Sequence, residues 1–344
     1  MKLLVVTQAL DLDDPTLSTY HGWVAELARQ FEHVEVVCLK AGRHDFPGNV
    51  SIHSLGKEKG ARSPIMYGLR FLDLVWRLRG SYDAVFVHMN QEYLLIAGWL
   101  WASMGKRMYL WRNHYAGSFL TDIAAAFCIK IFCTSRHSYT AKYRKTQFMP
   151  VGVDSSRFVP GTVRAPNSIL FFGRISPSKR PELLIDALEL LKQRGVPFTA
   201  SIVGSSLPKD QGYHESLRQR VDHAGLAEQV TFLSGVSNTQ APTVFATHEI
   251  YVNASPSGMF DKAIFEAAAS GCLVLATSDD FSRLAGDIFS FSDAVSLADR
   301  IESLRASSTS HEALRSSLIR LAQEQSLSRL GAQLRDAILT GAAT

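Results

Sequence analysis

Two hydrophobic rhythms alternate along this chain. Continuously apolar runs such as Leu3-Leu4-Val5-Val6 read as strands of a sheet covered on both faces. Longer segments between them space apolar residues three and four apart, the period of a helix with one buried face. In the first half the pattern predicts strands at Leu3–Val6, Val34–Leu39, Val50–Ser54, Ala84–His88, Arg107–Trp111 and Lys130–Cys133. Helices fit at about Thr19–Phe31, Ile65–Arg79, Tyr93–Met104 and Arg136–Arg144. A stretch from Met149 to Asn167, with Pro150, Pro160, Gly161 and Pro166, interrupts the rhythm. It then resumes with strands at Ile169–Phe172, Thr199–Val203, Val230–Leu233, Ile250–Asn253 and Leu273–Ala276. Helices are predicted at Glu182–Arg194, Glu215–His223, Thr239–Thr247 and Lys262–Ser270, then near Ala294–Arg305, His311–Gln323 and Ser326–Leu339.

Strands alternating with helices predict parallel sheets, an α/β chain. At 344 residues it is too long for one typical core. Two domains follow, 1–155 and 156–344, each a doubly wound Rossmann-like sheet, facing each other across a cleft where ligands bind. The last helix, about 326–339, is the element expected to pack back toward the first domain.

Composition narrows the class. Hydrophobic content of 46% and charged content of 20% are ordinary for a soluble enzyme. No signal pattern opens the chain, and the longest apolar run, Tyr93 to Met104, is broken by Gly98 and falls short of the roughly 20 residues a membrane span needs. Cys38, Cys128, Cys133 and Cys272 are scattered through apolar runs and read as buried thiols in a reducing compartment. A cytoplasmic protein is expected. Residues 1–155 carry 18 Lys and Arg against 13 Asp and Glu, while 156–344 carry 18 against 19. The basic first half points to an anionic partner, such as the inner face of a membrane or a lipid-phosphate acceptor. Basic residues are not interleaved with aromatics on one predicted face, so nucleic acid is not expected.

The chemistry concentrates in two segments. Phe171-Phe172-Gly173-Arg174 through Lys179-Arg180-Pro181 is a strand, a glycine turn with cations at Arg174, Lys179 and Arg180, and a helix opened by proline. Fixed positive charge beside a helix N-terminus, at the carboxyl end of a strand, suits a diphosphate. Further on, Phe265-Glu266-Ala267-Ala268-Ala269-Ser270-Gly271 puts one carboxylate on a helix of small residues, placed to meet ribose or sugar hydroxyls.

These pieces resemble a family. Gly173-Arg174 with Lys179, Ile202-Val203-Gly204, Val230 to Gly235, and Ser255-Pro256-Ser257-Gly258 leading to Glu266-Ala267 and Ser270-Gly271 occur in the order found in retaining GT-B glycosyltransferases of the large family-4 (group 1) type. The first half contributes Asp13-Asp14-Pro15 with His21-Gly22-Trp23, Val87-His88-Met89-Asn90, Trp111 to His114, and Val151-Gly152-Val153-Asp154. The resemblance implies a GT-B fold and transfer of a sugar from a nucleoside-diphosphate donor to an acceptor hydroxyl, with retention and without a metal. The acceptor would be a glycan or lipid-linked molecule in cell-surface synthesis. UDP-sugars stand ahead of GDP-sugars as donor on family frequency, and the nucleotide sugar is a substrate, with no cofactor.

The same resemblance assigns residues. Arg174 and Lys179 would hold the diphosphate, with Gly173 in the turn, and Glu266 the ribose. Gly204 and Ser205 would allow close approach, and Val236 with Ser237 would border the base. His114 would face the donor sugar. Asp13, Asp14 and His88 lie on the acceptor side. The family's commoner pattern has a second glutamate where this chain has Gly258. Its sugar contact would pass to the backbone at Met259 and Phe260, or to Asp261 and Lys262. Asp11-Leu12-Asp13 spells a metal-binding pattern, but its position before Asp14-Pro15 favours turn chemistry, and no metal is expected. Two alternatives stay open: a nucleotide-sugar epimerase of the same fold, and a GT-B protein that binds nucleotide without turnover.

Overall fold

In the computed structural model, residues 1–14, 17–60, 63–257, 261–306 and 311–341 are described. The chain forms two compact units, Met1–Gly152 with Leu327–Thr344, and Val153–Ser326.

The first unit runs β1 (Lys2–Leu10), α1 (Thr19–Gln30), β2 (His33–Ala41), β3 (Val50–Ser54), α2 (Pro64–Arg77), β4 (Ala84–His88), α3 (Glu92–Ser103), β5 (Arg107–Trp111), α4 (Phe119–Phe127), β6 (Lys130–Cys133) and β7 (Thr146–Phe148). Among the described residues these strands make a seven-stranded parallel sheet in the order β3-β2-β1-β4-β5-β6-β7. Alternate strand residues serve opposite faces. Leu3, Val5, Val34, Val36, Phe86 and Tyr109 pack with Trp23, Val24 and Leu27 of α1. Leu4, Val6, Val37, Val85, Val87 and Leu110 pack with Phe71 and Val75 of α2, Leu94 and Trp101 of α3, and Ala124 of α4.

The second unit runs β8 (Ser168–Phe172), α5 (Pro181–Gln193), β9 (Thr199–Val203), α6 (Gln211–His223), β10 (Val230–Leu233), α7 (Ala241–Ala246), β11 (Ile250–Asn253), α8 (Lys262–Ala269), β12 (Leu273–Ala276), α9 (Asp279–Ala285), α10 (Ala294–Ala306) and α11 (His311–Glu324). Its five parallel strands are ordered β10-β9-β8-β11-β12. The chain winds outward from β8 and then returns to β11 on its other side. Loops after these two adjacent strands therefore leave in opposite directions and open a crevice between them.

A final helix, α12 (Leu327–Thr340), completes the first unit. Leu330, Leu334 and Ile338 enter the core beside α1, and the Tyr109 hydroxyl donates to the Ile338 carbonyl at 3.1 Å. The units part between Gly152 and Val153, because the Val153 amide donates to Gln325 O at 2.9 Å and Val153 bridges to Ser326.

One predicted element is corrected. The segment Arg136–Arg144 holds no helix beyond a 3-10 turn at Tyr139–Lys142, and the helix of this region is α4, which the hydrophobic pattern missed. The Ser118 side chain and Thr121 form a capping box that starts α4. The segment predicted as a helix instead wraps onto it: Tyr139, Tyr143 and Lys142 all bond to Asp122 of α4. The short edge strand β7 and α9, capped by the Ser278 hydroxyl accepting from the Phe281 amide at 3.4 Å, were also missed. All four cysteines are buried and form no disulfide, and burial pushes the thiols of Cys38, Cys128 and Cys272 up to about 12.

Because α12 supplies core side chains from the far end of the chain, Leu334→Ala should lower stability by about 2–5 kcal/mol. Chemical unfolding followed by circular dichroism measures this; a loss below about 1 kcal/mol would mean that α12 is only loosely docked.

Candidate active site

Of the predicted donor residues, Gly173, Arg174 and Lys179 follow β8, and Asp261, Lys262 and Glu266 follow β11, on the two sides of the crevice between these strands. Gly173 follows β8 with φ of 150°, and no atom of the described residues beyond its chain neighbours lies within 4 Å of where its Cβ would stand. The backbone is therefore bare on that side. Gly204 follows β9, and a Cβ there would lie 1.9 Å from the Gly173 carbonyl oxygen, so only glycine lets the two turns pack. Ser205 joins three loops: its carbonyl accepts from the Ile175 amide at 3.1 Å, and its hydroxyl accepts from the Gly235 amide at 3.0 Å. Val236 follows, half-buried.

Lys179 reaches across the crevice and pairs with Asp261, the residue before α8. The Asp261 carboxylate also accepts from Asn253 Nδ2 at 3.1 Å and Ser255 Oγ at 3.3 Å. Burial raises its pKa, but the Lys179 ammonium and these two donors outweigh that and hold it below the usual carboxylate range. Asp261 makes no side-chain cap on α8. Its oxygen fixes the lysine, leaving the remaining ammonium hydrogens to point elsewhere.

The three cations of the turn have different roles. Arg174 is exposed and makes no hydrogen bond or ion pair among the described residues. Arg180 is a tether: its Nε donates to Ala254 O at 2.7 Å and its Nη2 to Thr277 Oγ1 at 3.0 Å. It holds a left-handed φ of 48° at the start of α5, immediately before Pro181, a conformation uncommon outside glycine. Asn253 and Thr277 escaped the sequence reading, while Ser255 entered it only as the first residue of the Ser255-Pro256-Ser257-Gly258 motif; a polar Asn253 closing a buried strand was the signal for the first.

Glu266 is buried on α8, 3.7 Å from Lys262. Desolvation raises its pKa, against the pull of Lys262 and with a push from the Asp261 charge; Arg157 adds a distant attraction. Its environment thus disfavours its charge, and among the described residues the 3.7 Å approach of Lys262 is its one ion pair. Gly258, Met259 and Phe260, named above for the sugar contact, lie outside the described residues.

In the first unit the predicted residues do not form one cluster. Asp13 is exposed, and Arg43 holds it through two hydrogen bonds of 2.6 and 2.9 Å that lower its pKa. Lys40 pairs with Asp11 at 3.3 Å and Asp14 at 3.4 Å. Among the described residues no group of three or more His, Cys, Asp or Glu could hold a metal. His114 is exposed after β5, with its Nδ1 accepting from the Ala116 amide at 3.0 Å. That bond leaves Nε2 as the open ring nitrogen.

His88 departs from its expected place on the acceptor side. It is 4% exposed, caged by Tyr20, Trp23 and Trp111, with Thr7 Oγ1 3.5 Å from Nδ1. Ending a strand is not enough to expose a side chain when α1 covers it. Burial depresses its pKa to about 3.

The first sheet has its own switch point, between β1 and β4. A pocket of about 480 Å³ opens there, with Gln8 and Asn90 from the strand ends and Leu55, Tyr67, Phe71, Tyr93 and Ile96 as its apolar wall.

Two parallel, doubly wound sheets, five- and seven-stranded, define the class: an α/β protein of the GT-B fold. HepE of Anabaena in complex with UDP shares the fold with a TM-score of 0.78 at 18% identity, covering 99% of this chain and 100% of that one. Sucrose-phosphate synthase of Thermosynechococcus elongatus does so with a TM-score of 0.75 at 15% identity, over 100% of both chains. Residues 153–317 match the family model for glycosyl transferases group 1. Through this match, just under half of the chain, the second unit is similar to the group 1 glycosyltransferases. The D-inositol 3-phosphate glycosyltransferase of Mycobacterium leprae (strain Br4923) is 32% identical over 137 residues, 37% of this chain and 31% of that protein. A phosphatidylinositol N-acetylglucosaminyltransferase subunit of Arabidopsis thaliana is 28% identical over 165 residues, 46% of this chain and 35% of that protein. The chain thus spans about a third of the length of these relatives.

Two outcomes follow. Since the fold disfavours the Glu266 charge, Glu266→Gln should leave thermal stability unchanged or raised while nucleotide affinity falls at least tenfold; a drop in stability with affinity intact would make Glu266 a structural ion-pair partner. For His88, the unfolded chain binds a proton near pH 6.5 and the fold refuses it until about pH 3. Its contribution to stability is therefore complete above pH 6.5 and lost as pH falls, at up to about 1.4 kcal/mol per pH unit. Denaturant titrations at pH 7 and 5 should show a smaller acid loss for His88→Gln; an unchanged loss would contradict the buried neutral histidine.

Proposed function

We propose that the protein is a retaining, metal-independent glycosyltransferase that takes its sugar from a nucleoside diphosphate, UDP ahead of GDP. The observation that carries this is the crevice at the switch point of the second sheet. There a lysine oriented by Asp261, an uncommitted arginine and bare glycine backbone converge at strand ends. HepE of the same fold has been solved with UDP and with UDP-glucose, which supports the choice of base.

In this reading the diphosphate lies along Gly173 and Gly204, and Lys179 and Arg174 donate to its oxygens. Glu266 accepts from the ribose. The bond from the sugar's anomeric carbon to the β-phosphate oxygen breaks, and a bond from the acceptor oxygen forms on the same face. The acceptor proton passes to the departing phosphate oxygen, and the nucleoside diphosphate leaves with its charge neutralised by the two cations. His114 serves the donor sugar and Asp13 and Asp14 the acceptor. The acceptor is a glycan or lipid-linked hydroxyl in cell-surface synthesis. Both relatives' names contain a phosphorylated inositol, which supports an anionic acceptor. The setting is the cytoplasmic side of a membrane.

Arg174→Ala removes no partner among the described residues and is expected to slow transfer by about 2–4 kcal/mol of transition-state stabilisation. Release of UDP from a panel of UDP-sugars with EDTA present measures it. Wild-type turnover in the folded variant would refute the role of Arg174, and turnover that needs added magnesium would refute metal independence.

A further inference from the structure

The two helix layers of the first unit differ in what they show to solvent. Among the described residues, α1 and α12 on one face expose one large hydrophobic side chain, Leu339. The opposite layer exposes Trp99 on α3 and Phe119 and Leu120 on α4. On α2 it exposes Ile65, Met66, Leu69 and Trp76, at 74%, 50%, 59% and 52%. These four share the side of α2 away from Phe71 and Val75, which face the core. The helix is thus apolar on both sides, more than the fold requires.

The surrounding charge identifies the occupant. Over the sequence 57–79, Lys57, Lys59, Arg62, Arg70, Arg77 and Arg79 accompany only Glu58 and Asp73. Arg79 stacks over the Trp76 ring at 4.3 Å, and Arg77 bonds Asp73 at 2.9 Å. A second protein would have to bury these cations against matching acids. A bilayer with anionic headgroups takes the apolar stripe into its acyl boundary and leaves the arginines at phosphate level, where long basic side chains and tryptophan both reside. The same helix walls the apolar pocket through Tyr67 and Phe71, next to the carboxyl ends of the first sheet.

We infer that the α2–α4 layer of the first unit is a docking face for an anionic lipid surface, with the α2 stripe Ile65, Met66, Leu69 and Trp76 as its insertion edge. This goes beyond the proposed transfer reaction and does not depend on it. No helix among the described residues is long and apolar enough to cross a membrane, so the contact is interfacial.

Co-sedimentation of the full chain with vesicles of phosphatidylcholine alone, or mixed equally with phosphatidylglycerol, tests this. Binding to the mixed vesicles, weak binding to the neutral ones, and loss on raising salt are expected. The double variant Met66→Ser with Leu69→Ser should reduce partitioning at least tenfold, and Arg70→Gln with Arg79→Gln should reduce it on the mixed vesicles. Both alter exposed or half-buried side chains, and thermal unfolding verifies that they fold. No binding to the mixed vesicles, or binding unchanged in both variants, overturns the inference. So does a self-association in analytical ultracentrifugation that the Met66 and Leu69 changes abolish, since the face would then belong to a second copy.

Discussion

The pairing of Lys179 with Asp261 is the constraint on which the second unit's site depends. It joins the loop that leaves β8 in one direction to the start of α8, which follows β11 in the other. Doubly wound sheets open a crevice at this point as a consequence of strand order, but topology alone does not fix the side chains that line it. Here the carboxylate is held by an amide and a hydroxyl of the β11 loop, and the Arg180 guanidinium ties that loop back to the start of α5. Two loops that could move separately are cross-linked twice, so the ammonium is oriented before any ligand arrives. Such preorganisation is what makes fixed charge effective on a leaving group.

The carboxylate at 261 also bears on the family pattern. Asp261 lies next to the helix that carries Glu266, and its negative charge raises the pKa of that glutamate. Two carboxylates near one helix N-terminus would repel each other if both were unpaired. Lys179 resolves the conflict by engaging Asp261, while Lys262 stands 3.7 Å from Glu266. The site is a balance of two acids and two cations, Lys179 and Lys262, rather than a cation cluster alone.

Much of this was legible in the residues. Continuous apolar strands and a restart after the proline-rich stretch near residue 160 conveyed two parallel sheets, and the boundaries of β3, β4, β5, β6, β9, β10, β11 and β12 coincide with those read from the pattern. The misreading at Arg136–Arg144 has a tertiary cause, because that segment is organised by Asp122 of another helix and not by its own periodicity. His88 illustrates a second limit. Strand-end position was readable, but the aromatic cover from Tyr20 and Trp23 depends on how α1 packs. Arg180 is a third: as a charge it is indistinguishable from Arg174 in sequence, yet its carbonyl and hydroxyl partners lie more than seventy residues away.

The central claim is that the second unit recognises a diphosphate through fixed charge and a ribose through Glu266. Calorimetric titration of the full chain with uridine, UMP and UDP at one ionic strength tests it most directly. The account predicts that the second phosphate dominates, with UDP binding at least tenfold more tightly than UMP and the difference shrinking as salt rises. Equal affinity for UMP and UDP at low salt would contradict it.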